Sequence, residues 1–324
     1  MTIRRVFCTA FGEPAEVVAV RSIELPPPGP GEVTIEIAAA PINPADLLLL
    51  SGRHLIKPSL PAVVGIEGAG VVAALGPGAE GLAVGQKVAL PFGGTWSEKV
   101  VMRASDVVAL PDGVDLVQAS MLSVNPVTAA GLLADLRPGE WLLQNAANSA
   151  VGKLVIRLAR RRGIRTVNVV RRAELVAELT ALGADAVLVG EDDLAARVSA
   201  ATGGAPVRRA LDAIAGVSAG NLYSCVGEGG SLVCYGLLSG DRVILPAAQV
   251  VFRDVTVTGY SRLRSLRKLP REQVRALYAE LAQMLFAGEI TSEVEATYPL
   301  ERAAEAVAHA VREGRSGKIV LLPR

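Results

Sequence analysis

The pattern of hydrophobic and polar positions changes near residue 116. Before this point, apolar residues alternate with polar ones or form short runs between glycine and proline turns, as expected for β-strands. The clearest runs are residues 33–37, 68–75 and 86–90, with a helix-like patch at 44–51. After this point, longer helical periods alternate with short apolar runs. That alternation is typical of a doubly wound parallel sheet in an α/β protein.

The second pattern contains a β–turn–α–β unit. Residues 142–152 (LLQNAANSAVG) join a buried strand to an amphipathic helix at 153–162, and a β-rich run follows at 166–170. A dinucleotide site needs this arrangement, because pyrophosphate binds the free N–H groups at the helix start. The three glycine positions of the usual fingerprint read Ala147, Ser149 and Gly152. A crossover without a ligand therefore remains an alternative.

The residues after the second strand indicate which dinucleotide would bind. An NAD site carries an acidic residue about 20 residues beyond the glycines, and this chain has Arg171 and Arg172 there. Two guanidinium groups suit a 2′-phosphate, which favours NADPH over NADH. The alternative is that both arginines are only solvated, although cations are unfavourable at the start of a helix.

Further alternating elements extend the parallel sheet. Strands are predicted at 186–189, 209–214, 231–235 and 255–259, helices at 125–136, 174–182 and 271–287, and a terminal strand at 316–322. We expect a nucleotide-binding domain at 123–265, inserted in a β-rich domain formed by 1–122 and 266–324.

Composition narrows the classes of function. The 324 residues include 33 basic and 32 acidic side chains, a formal net charge of +1. This balance gives no electrostatic basis for binding nucleic acid or a membrane surface. No apolar run is long enough for a signal peptide or a membrane span. The three cysteines, at unrelated spacings, suggest neither a disulfide framework nor a four-cysteine zinc site. We expect a cytoplasmic protein.

Several segments together resemble the medium-chain dehydrogenase/reductase superfamily. They are residues 31–46, 60–68, 76–88, 182–185 and 317–320. Within the superfamily, residues 144–152 followed by 168–171 look like the 2-enoyl thioester reductase branch, which is close to the quinone oxidoreductases. The resemblance implies a GroES-like β-rich catalytic domain and a Rossmann nucleotide domain.

The resemblance also bears on zinc. Zinc alcohol dehydrogenases of the superfamily place a cysteine near Asn43–Asp46 and a histidine where this chain has Ile66. Neither ligand is present here, so we expect a zinc-free member with no metal site, which must stabilise developing negative charge with hydrogen-bond donors. Asp46 and Glu67 are interpreted as structural partners of backbone or arginine.

One substitution concerns the proton donor. In enoyl thioester reductases a tyrosine two residues after the glycine of this segment donates a proton, and here His54 follows Gly52 at that spacing. Histidine titrates near neutrality, so His54 could take the same role. A loop histidine without catalytic duty is the alternative. The other histidine, His309, is interpreted as structural.

The resemblance implies a set of cofactor contacts, for each of which simple packing is the alternative. They are Asn125, Thr128, Asn148, Ser149, Ala150, Val151, Gly152, Arg171, Arg172, Tyr235, Gly236, Leu237, Leu238, Tyr260, Ser261, Arg262 and Lys318.

The leading hypothesis is an NADPH-dependent reductase of a C=C bond conjugated to a carbonyl, with an enoyl thioester as substrate. A quinone oxidoreductase is the alternative enzyme, because a quinone can take protons from water. An NADPH-binding sensor without turnover is the non-enzymatic alternative. By analogy with the superfamily we expect a homodimer that pairs edge strands at 251–259, although an internal strand would explain that run equally well.

Overall fold

The computed structural model describes residues 1–240, 242–312 and 314–323. The chain divides into two compact units, Met1–Val124 with Arg271–Arg324, and Asn125–Pro270. The sequence placed these boundaries after residues 122 and 265. The bounds of the elements of the first segment are β1 Thr2–Cys8, β2 Val18–Glu24, β3 Glu32–Pro41, α1 Pro44–Leu50, β4 Ala62–Val63, β5 Gly68–Leu75, β6 Lys87–Leu90, β7 Lys99–Arg103, β8 Val108–Ala109 and α2 Leu116–Ala119.

The second unit is an α/β domain. Its elements are α3 Asn125–Leu132, β9 Trp141–Gln144, α4 Ala150–Arg161, β10 Arg165–Val170, α5 Leu175–Leu182, β11 Ala186–Val189, α6 Leu194–Thr202, β12 Val207–Asp212, α7 Gly216–Cys225, β13 Val226–Cys234, α8 Ala247–Phe252, β14 Thr256–Gly259 and α9 Arg262–Arg267. The chain then returns to the first unit with α10 Arg271–Phe286, β15 Val294–Pro299, α11 Ala303–Val311 and β16 Lys318–Leu322.

The first unit is built on antiparallel pairing around β3. A seven-stranded sheet has the order β15-β16-β3-β5-β6-β8, with β7 also paired to β3, and a separate sheet has the order β2-β1-β4. Ile35 and Ile37 of β3 are fully buried in the core together with Trp96. Helix α11 covers this core with an apolar stripe of small residues at helical spacing. The residues of that stripe are Ala303, Ala306, Val307 and Ala310.

The second unit contains a six-stranded sheet of order β11-β10-β9-β12-β13-β14. Every adjacent pair is parallel, and strands β9 and β10 are buried on both faces, as expected when helices cover both. The order reverses at β9, which lies between β10 and β12. Ligands of doubly wound folds bind beyond the carboxyl ends of the strands at such a switch point. The fold class expected from the sequence is confirmed.

Strand β14 forms an edge of this sheet. Within the described part of the chain it pairs with β13 alone, and all four of its residues are exposed. The sequence left the run 251–259 open between an edge and an internal strand. Residues 256–259 form an edge strand, whereas the expectation of a strand is wrong for Val251 and Phe252, which end helix α8.

Candidate active site

The turn between β9 and α4 lies at the switch point of the parallel sheet. Ser149 caps α4, since its hydroxyl accepts the N–H of Gly152 at 3.1 Å. A Cβ at Gly152 would lie 2.5 Å from the carbonyl oxygen of Ala147, so only glycine allows the turn to close on the helix. Helix α4 begins at Ala150, three residues earlier than the sequence pattern indicates. Its first N–H groups, those of Ala150 and Val151, have no carbonyl one turn earlier within the helix.

The buried side-chain amide of Gln144 stabilises this turn by hydrogen bonds. Gln144, at the end of β9, donates from Nε2 to the Gly152 carbonyl at 3.0 Å and to Oδ1 of Asn168 at 2.7 Å. Asn168 in turn donates to the hydroxyl of Thr166 and to the carbonyl of Ala186. Strands β9, β10 and β11 are thereby tied to the start of α4 by side chains with almost no solvent exposure.

A second buried pair shapes the other side of the switch point. Asn145 donates to Oδ1 of Asp212 at 2.6 Å, and its own oxygen accepts the N–H of Ala213 at 2.8 Å. The Asp212 carboxylate also accepts the N–H groups of Ile214 and Ala215. The loop after β12 is therefore fixed by hydrogen bonds to a carboxylate. The structural roles of Gln144, Asn145 and Asp212 were not predicted from the sequence. The pattern that could have indicated them is a polar residue at the end of an apolar strand.

The two arginines after β10 differ in their environment. Both side chains are exposed. Nε of Arg172 lies 3.5 Å from a carboxylate oxygen of Glu174. For Arg171 the described part of the chain provides no ion pair or hydrogen bond to the guanidinium. Arg171 is therefore the arginine available to an added anion.

The segment after β13 places a tyrosine hydroxyl in the protein interior. Among the described residues, the Tyr235 hydroxyl has no hydrogen-bond partner of acceptable geometry. Burial raises the pKa of Tyr235, and the nearby Ser149 hydroxyl partly offsets that rise. Gly236 follows, where a Cβ would lie 2.5 Å from the Ala213 carbonyl, and Leu237 and Leu238 are exposed. Two predicted contacts, Ser149 and Tyr235, are thus brought together.

Helix α3 and the segment at 260–262 pack against each other. The Tyr260 hydroxyl donates to the Val127 carbonyl at 3.5 Å and lies over Gly131. Asn125 is buried and Arg262 nearly so, while Thr128 is half-buried and Ser261 exposed. The hydroxyl of Tyr260 is therefore used in packing. Asn148 is half-buried in the turn after β9.

In the first unit, a buried polar cluster surrounds the start of α1. Asn43 donates from Nδ2 to Oε1 of Glu67 at 3.0 Å and accepts from Nζ of Lys318 at 2.6 Å. Its backbone N–H donates to a carboxylate oxygen of Asp46 at 2.9 Å. The partners of Asp46 and Glu67 include backbone N–H groups, as expected, and the cation that faces them is Lys318.

Burial changes the ionisation of this cluster. Desolvation raises the pKa of Asp46 to about 7, although a hydrogen bond from the Asn43 backbone opposes the rise and the Glu67 charge adds to it. Desolvation lowers the pKa of Lys318, against the attraction of Glu67 and Asp46. The cluster carries two carboxyl groups for one ammonium group.

His54 lies in the loop that follows α1 and is half-buried. Its Nδ1 is 3.1 Å from the backbone nitrogen and 3.2 Å from the carbonyl oxygen of Ile56. The Ile56 backbone can therefore partner Nδ1 whether or not that nitrogen carries a proton, and Nε2 has no partner among the described residues. His309, by contrast, bonds through both ring nitrogens, to Tyr298 and Glu295 at 2.9 Å each. A structural role fits His309.

In the described part of the chain, no group of three or more His, Cys, Asp or Glu side chains is placed to hold a metal ion. Over the same residues, no helix combines the length and apolar character needed to cross a bilayer.

Two family models match the chain. Residues 29–112 match an alcohol dehydrogenase GroES-like domain, and residues 150–283 match a zinc-binding dehydrogenase. The GroES-like match contains residues 43–46 and Ile66, among which this chain has neither a cysteine nor a histidine.

Similar proteins cover nearly the whole length. The mitochondrial enoyl-[acyl-carrier-protein] reductase of Bos taurus is 33% identical over 92% of this chain and 83% of its own, and that of Caenorhabditis elegans is 35% identical over 94% and 90%. A solved enoyl thioester reductase from Candida tropicalis has a TM-score of 0.88 at 25% identity, covering 99% of this chain and 100% of its own. A Pseudomonas syringae quinone oxidoreductase has a TM-score of 0.87 at 28% identity over the same shares.

The chain therefore belongs to the medium-chain dehydrogenase/reductase superfamily, in the group that holds the 2-enoyl thioester reductases and quinone oxidoreductases. It is accordingly an oxidoreductase, and the alternative of a sensor without turnover is set aside.

Proposed function

We propose that the protein reduces the C=C bond of a 2-enoyl thioester with NADPH. The observation that carries the proposal is the Nε2 of His54, which has no partner among the described residues, in a chain that is similar to enoyl reductases over nine-tenths of its length. A conjugated alkene needs a proton as well as a hydride, and His54 has a nitrogen free to give one.

The residues of the parallel-sheet unit suit NADPH. The N–H groups of Ala150 and Val151 and the Tyr235 hydroxyl can donate to phosphate oxygens, and the exposed Arg171 can bind a 2′-phosphate bidentately. A solved complex of Etr1p with NADP and crotonyl-CoA has a TM-score of 0.89 to this chain at 25% identity, covering 99% of this chain and 100% of its own. When bound, NADPH supplies the hydride that adds to the β-carbon of the substrate.

The first unit carries His54, the proposed proton donor for the second step of the reduction. Addition of hydride at the β-carbon moves the electron pair of the C=C bond towards the thioester oxygen and leaves an enolate. Protonated His54 gives its Nε2 proton to the α-carbon and regains one from solvent, while Ile56 holds Nδ1. We infer that no zinc takes part, since no cysteine lies near Asn43–Asp46 and Ile66 stands at the position of the histidine. Hydrogen-bond donors then stabilise the enolate oxygen.

A quinone is the second candidate substrate. Loss of the tyrosine favours it, because hydride addition to a quinone gives a hydroquinone anion that water can protonate. The similarity to quinone oxidoreductases supports the same interpretation.

Loss of reduced nicotinamide absorbance with crotonyl-CoA or with 1,4-benzoquinone separates the two substrates. We expect turnover of crotonyl-CoA. In His54→Phe, its kcat should fall by roughly 10²- to 10⁴-fold, the usual contribution of a proton donor, while any quinone reduction stays the same.

His309→Gln is the control, since the chain has only two histidines, and it should keep the crotonyl-CoA rate. Activity with the quinone alone would refute the thioester assignment. Equal loss in both histidine variants would refute the role of His54.

We further propose that the protein is a homodimer through β14. The unpaired edge of this strand can extend the sheet with a second copy by a twofold axis. Apolar side chains lie exposed on and just before it, with Val251 71%, Phe252 85% and Val257 42% exposed. An apolar surface of this kind beside an open edge favours association of identical chains.

Sedimentation velocity tests the dimer. Phe252→Lys should yield a monomer, because a charge on this surface would be buried on pairing. Phe286→Lys, at a residue 54% exposed in the other unit, is the matched control and should remain dimeric. A wild-type monomer at all concentrations would overturn the proposal.

The expected cytoplasmic location also stands as a proposal. Its support is that Cys8, Cys225 and Cys234 are free thiols, as in reducing compartments. Cell fractionation with a specific antibody would test it.

A further inference from the structure

The carboxylate of Glu67 joins separate segments of the first unit. Oε1 accepts from the Asn43 side chain, and Oε2 accepts the backbone N–H groups of Ser123 at 2.9 Å and Val124 at 2.7 Å. The Glu67 carbonyl accepts from the Thr95 hydroxyl at 2.6 Å. Glu67 is fully buried, so these bonds are shielded from water and strengthened by the low local dielectric.

Asn43 extends this connection to the C-terminal strand. Lysine can only donate and a carboxylate can only accept. The Asn43 oxygen must therefore face Lys318 and its nitrogen must face Glu67. The orientation of the amide is fixed by its partners, and both ends of it are used.

The segments joined in this way lead directly to residues of the proposed reaction. Helix α1 starts after Asn43 and ends in the His54 loop, where the backbone N–H groups of Arg53 and His54 both donate to the Leu48 carbonyl at 2.9 Å. The backbone of His54 therefore follows α1. Val124, held by Glu67, immediately precedes Asn125 and α3 in the chain.

We propose that Glu67, Asn43 and Lys318 form a positioning network, which fixes the segment that carries the proton donor relative to the segment that leads into α3. The inference rests on the proposed function. None of the three needs to touch substrate for this role. Displacement of a reacting group by about 1 Å can reduce a rate on the order of 10²-fold, so a small shift at Asn43 has a measurable effect.

Two isosteric variants test the network. Glu67→Gln can still accept the N–H groups of Ser123 and Val124, but its amide nitrogen then faces the amide nitrogen of Asn43. The double variant Glu67→Gln/Asn43→Asp restores the pairing with reversed polarity, because the new amide at position 67 donates to a carboxylate at position 43 that also accepts from Lys318. Total charge and shape are the same as in the wild type.

We expect Glu67→Gln to lower kcat for crotonyl-CoA by roughly 10- to 100-fold, to increase the solvent deuterium isotope effect on kcat, and to leave the Kd for NADPH unchanged. The double variant should recover most of the wild-type kcat and isotope effect. Ser97→Ala is the control, since it removes a buried hydrogen bond to the Lys99 carbonyl in the same unit and should leave kcat unchanged.

Amide hydrogen exchange provides a readout that does not need turnover. Exchange at residues 45–54 and 123–124 should speed up in Glu67→Gln and return to the wild-type rate in the double variant. Wild-type kcat in Glu67→Gln, or a folded double variant that recovers neither kcat nor exchange protection, would overturn the network. A wild type inactive on enoyl thioesters but with the expected exchange pattern would refute the proposed function and leave the joining of the segments in place.

Discussion

Polar groups in the interior of the two units have different partners. In the β-rich unit, Asn43 bonds to Glu67 and Lys318, and both ends of its amide are engaged. In the parallel-sheet unit, the buried Tyr235 hydroxyl has no partner among the described residues, and Arg171 extends beyond β10 without a described ion pair. The cluster around Asn43 and the Tyr235 hydroxyl both carry a cost of desolvation, but among the described residues only the cluster recovers it through hydrogen bonds. Arg171 is exposed and carries no such cost.

This difference distinguishes scaffold from binding surface. A buried polar cluster whose members hydrogen-bond to one another stabilises one arrangement of the chain. An unpaired donor next to the start of a twelve-residue helix has its best partner in an added anion. Changes in the first set should therefore alter stability or geometry, and changes in the second should alter affinity.

The largest expected effect concerns Asp46, a buried carboxyl group that lies with Glu67 in the cluster around Lys318. Its pKa is about 7 in the folded protein against 3.8 ordinarily. Between these values the folded state holds a proton that the unfolded chain has lost. The contribution of Asp46 to stability is present in full at low pH and is lost as the pH rises from about 4 to about 7, by up to about 1.4 kcal/mol per pH unit.

Asp46→Asn removes this titration while its amide oxygen still accepts the Asn43 N–H. In urea unfolding across that pH range, the free energy of unfolding of the variant should increase relative to that of the wild type as the pH rises. Asp115→Asn makes the same change at an exposed cap of α2, where the carboxylate accepts the Gln118 N–H, and is the control for an amide substitution outside the protein interior. If the difference in the free energy of unfolding between Asp46→Asn and the wild type stays constant with pH, the raised pKa of Asp46 is contradicted.

The two kinds of region also differ in how far sequence predicts them. The turn at 146–152, the two arginines and the alternation of strands and helices follow from local patterns, since small residues, helix periods and strand runs are each contiguous in the chain. The pairing of Asn43 with Lys318 joins residues 275 positions apart, and Asn145 with Asp212 joins residues 67 apart. No local periodicity signals such contacts, because they depend on which strands become neighbours.

The next largest effect should be on NADPH affinity, and it should distinguish the roles of Arg171 and Arg172. Arg171→Ala should weaken NADPH binding by about 1.5–3 kcal/mol, the contribution of a charged hydrogen bond, and leave NADH binding unchanged. Arg172→Ala should cost less, because its side chain already pairs with Glu174. Fluorescence titration with both dinucleotides measures the four affinities. Equal losses for NADPH and NADH would show that Arg171 does not bind the 2′-phosphate.

The smallest effect is the most direct test of the comparison. Tyr235→Phe removes a hydroxyl that lacks a protein partner, so the free energy of unfolding without cofactor should stay the same or increase, because an unsatisfied buried group is lost. The affinity for NADPH should fall by about 0.5–1.5 kcal/mol if that hydroxyl donates to the cofactor.

Tyr223→Phe is the matched control in the same unit, since its buried hydroxyl donates to the Gln249 carbonyl at 3.5 Å. It should lower stability and leave affinity unchanged. Tyr235→Phe could instead destabilise the free protein and bind NADPH normally. The hydroxyl would then contribute to the fold and not to cofactor binding. The lack of a protein partner would therefore not identify a ligand-binding group.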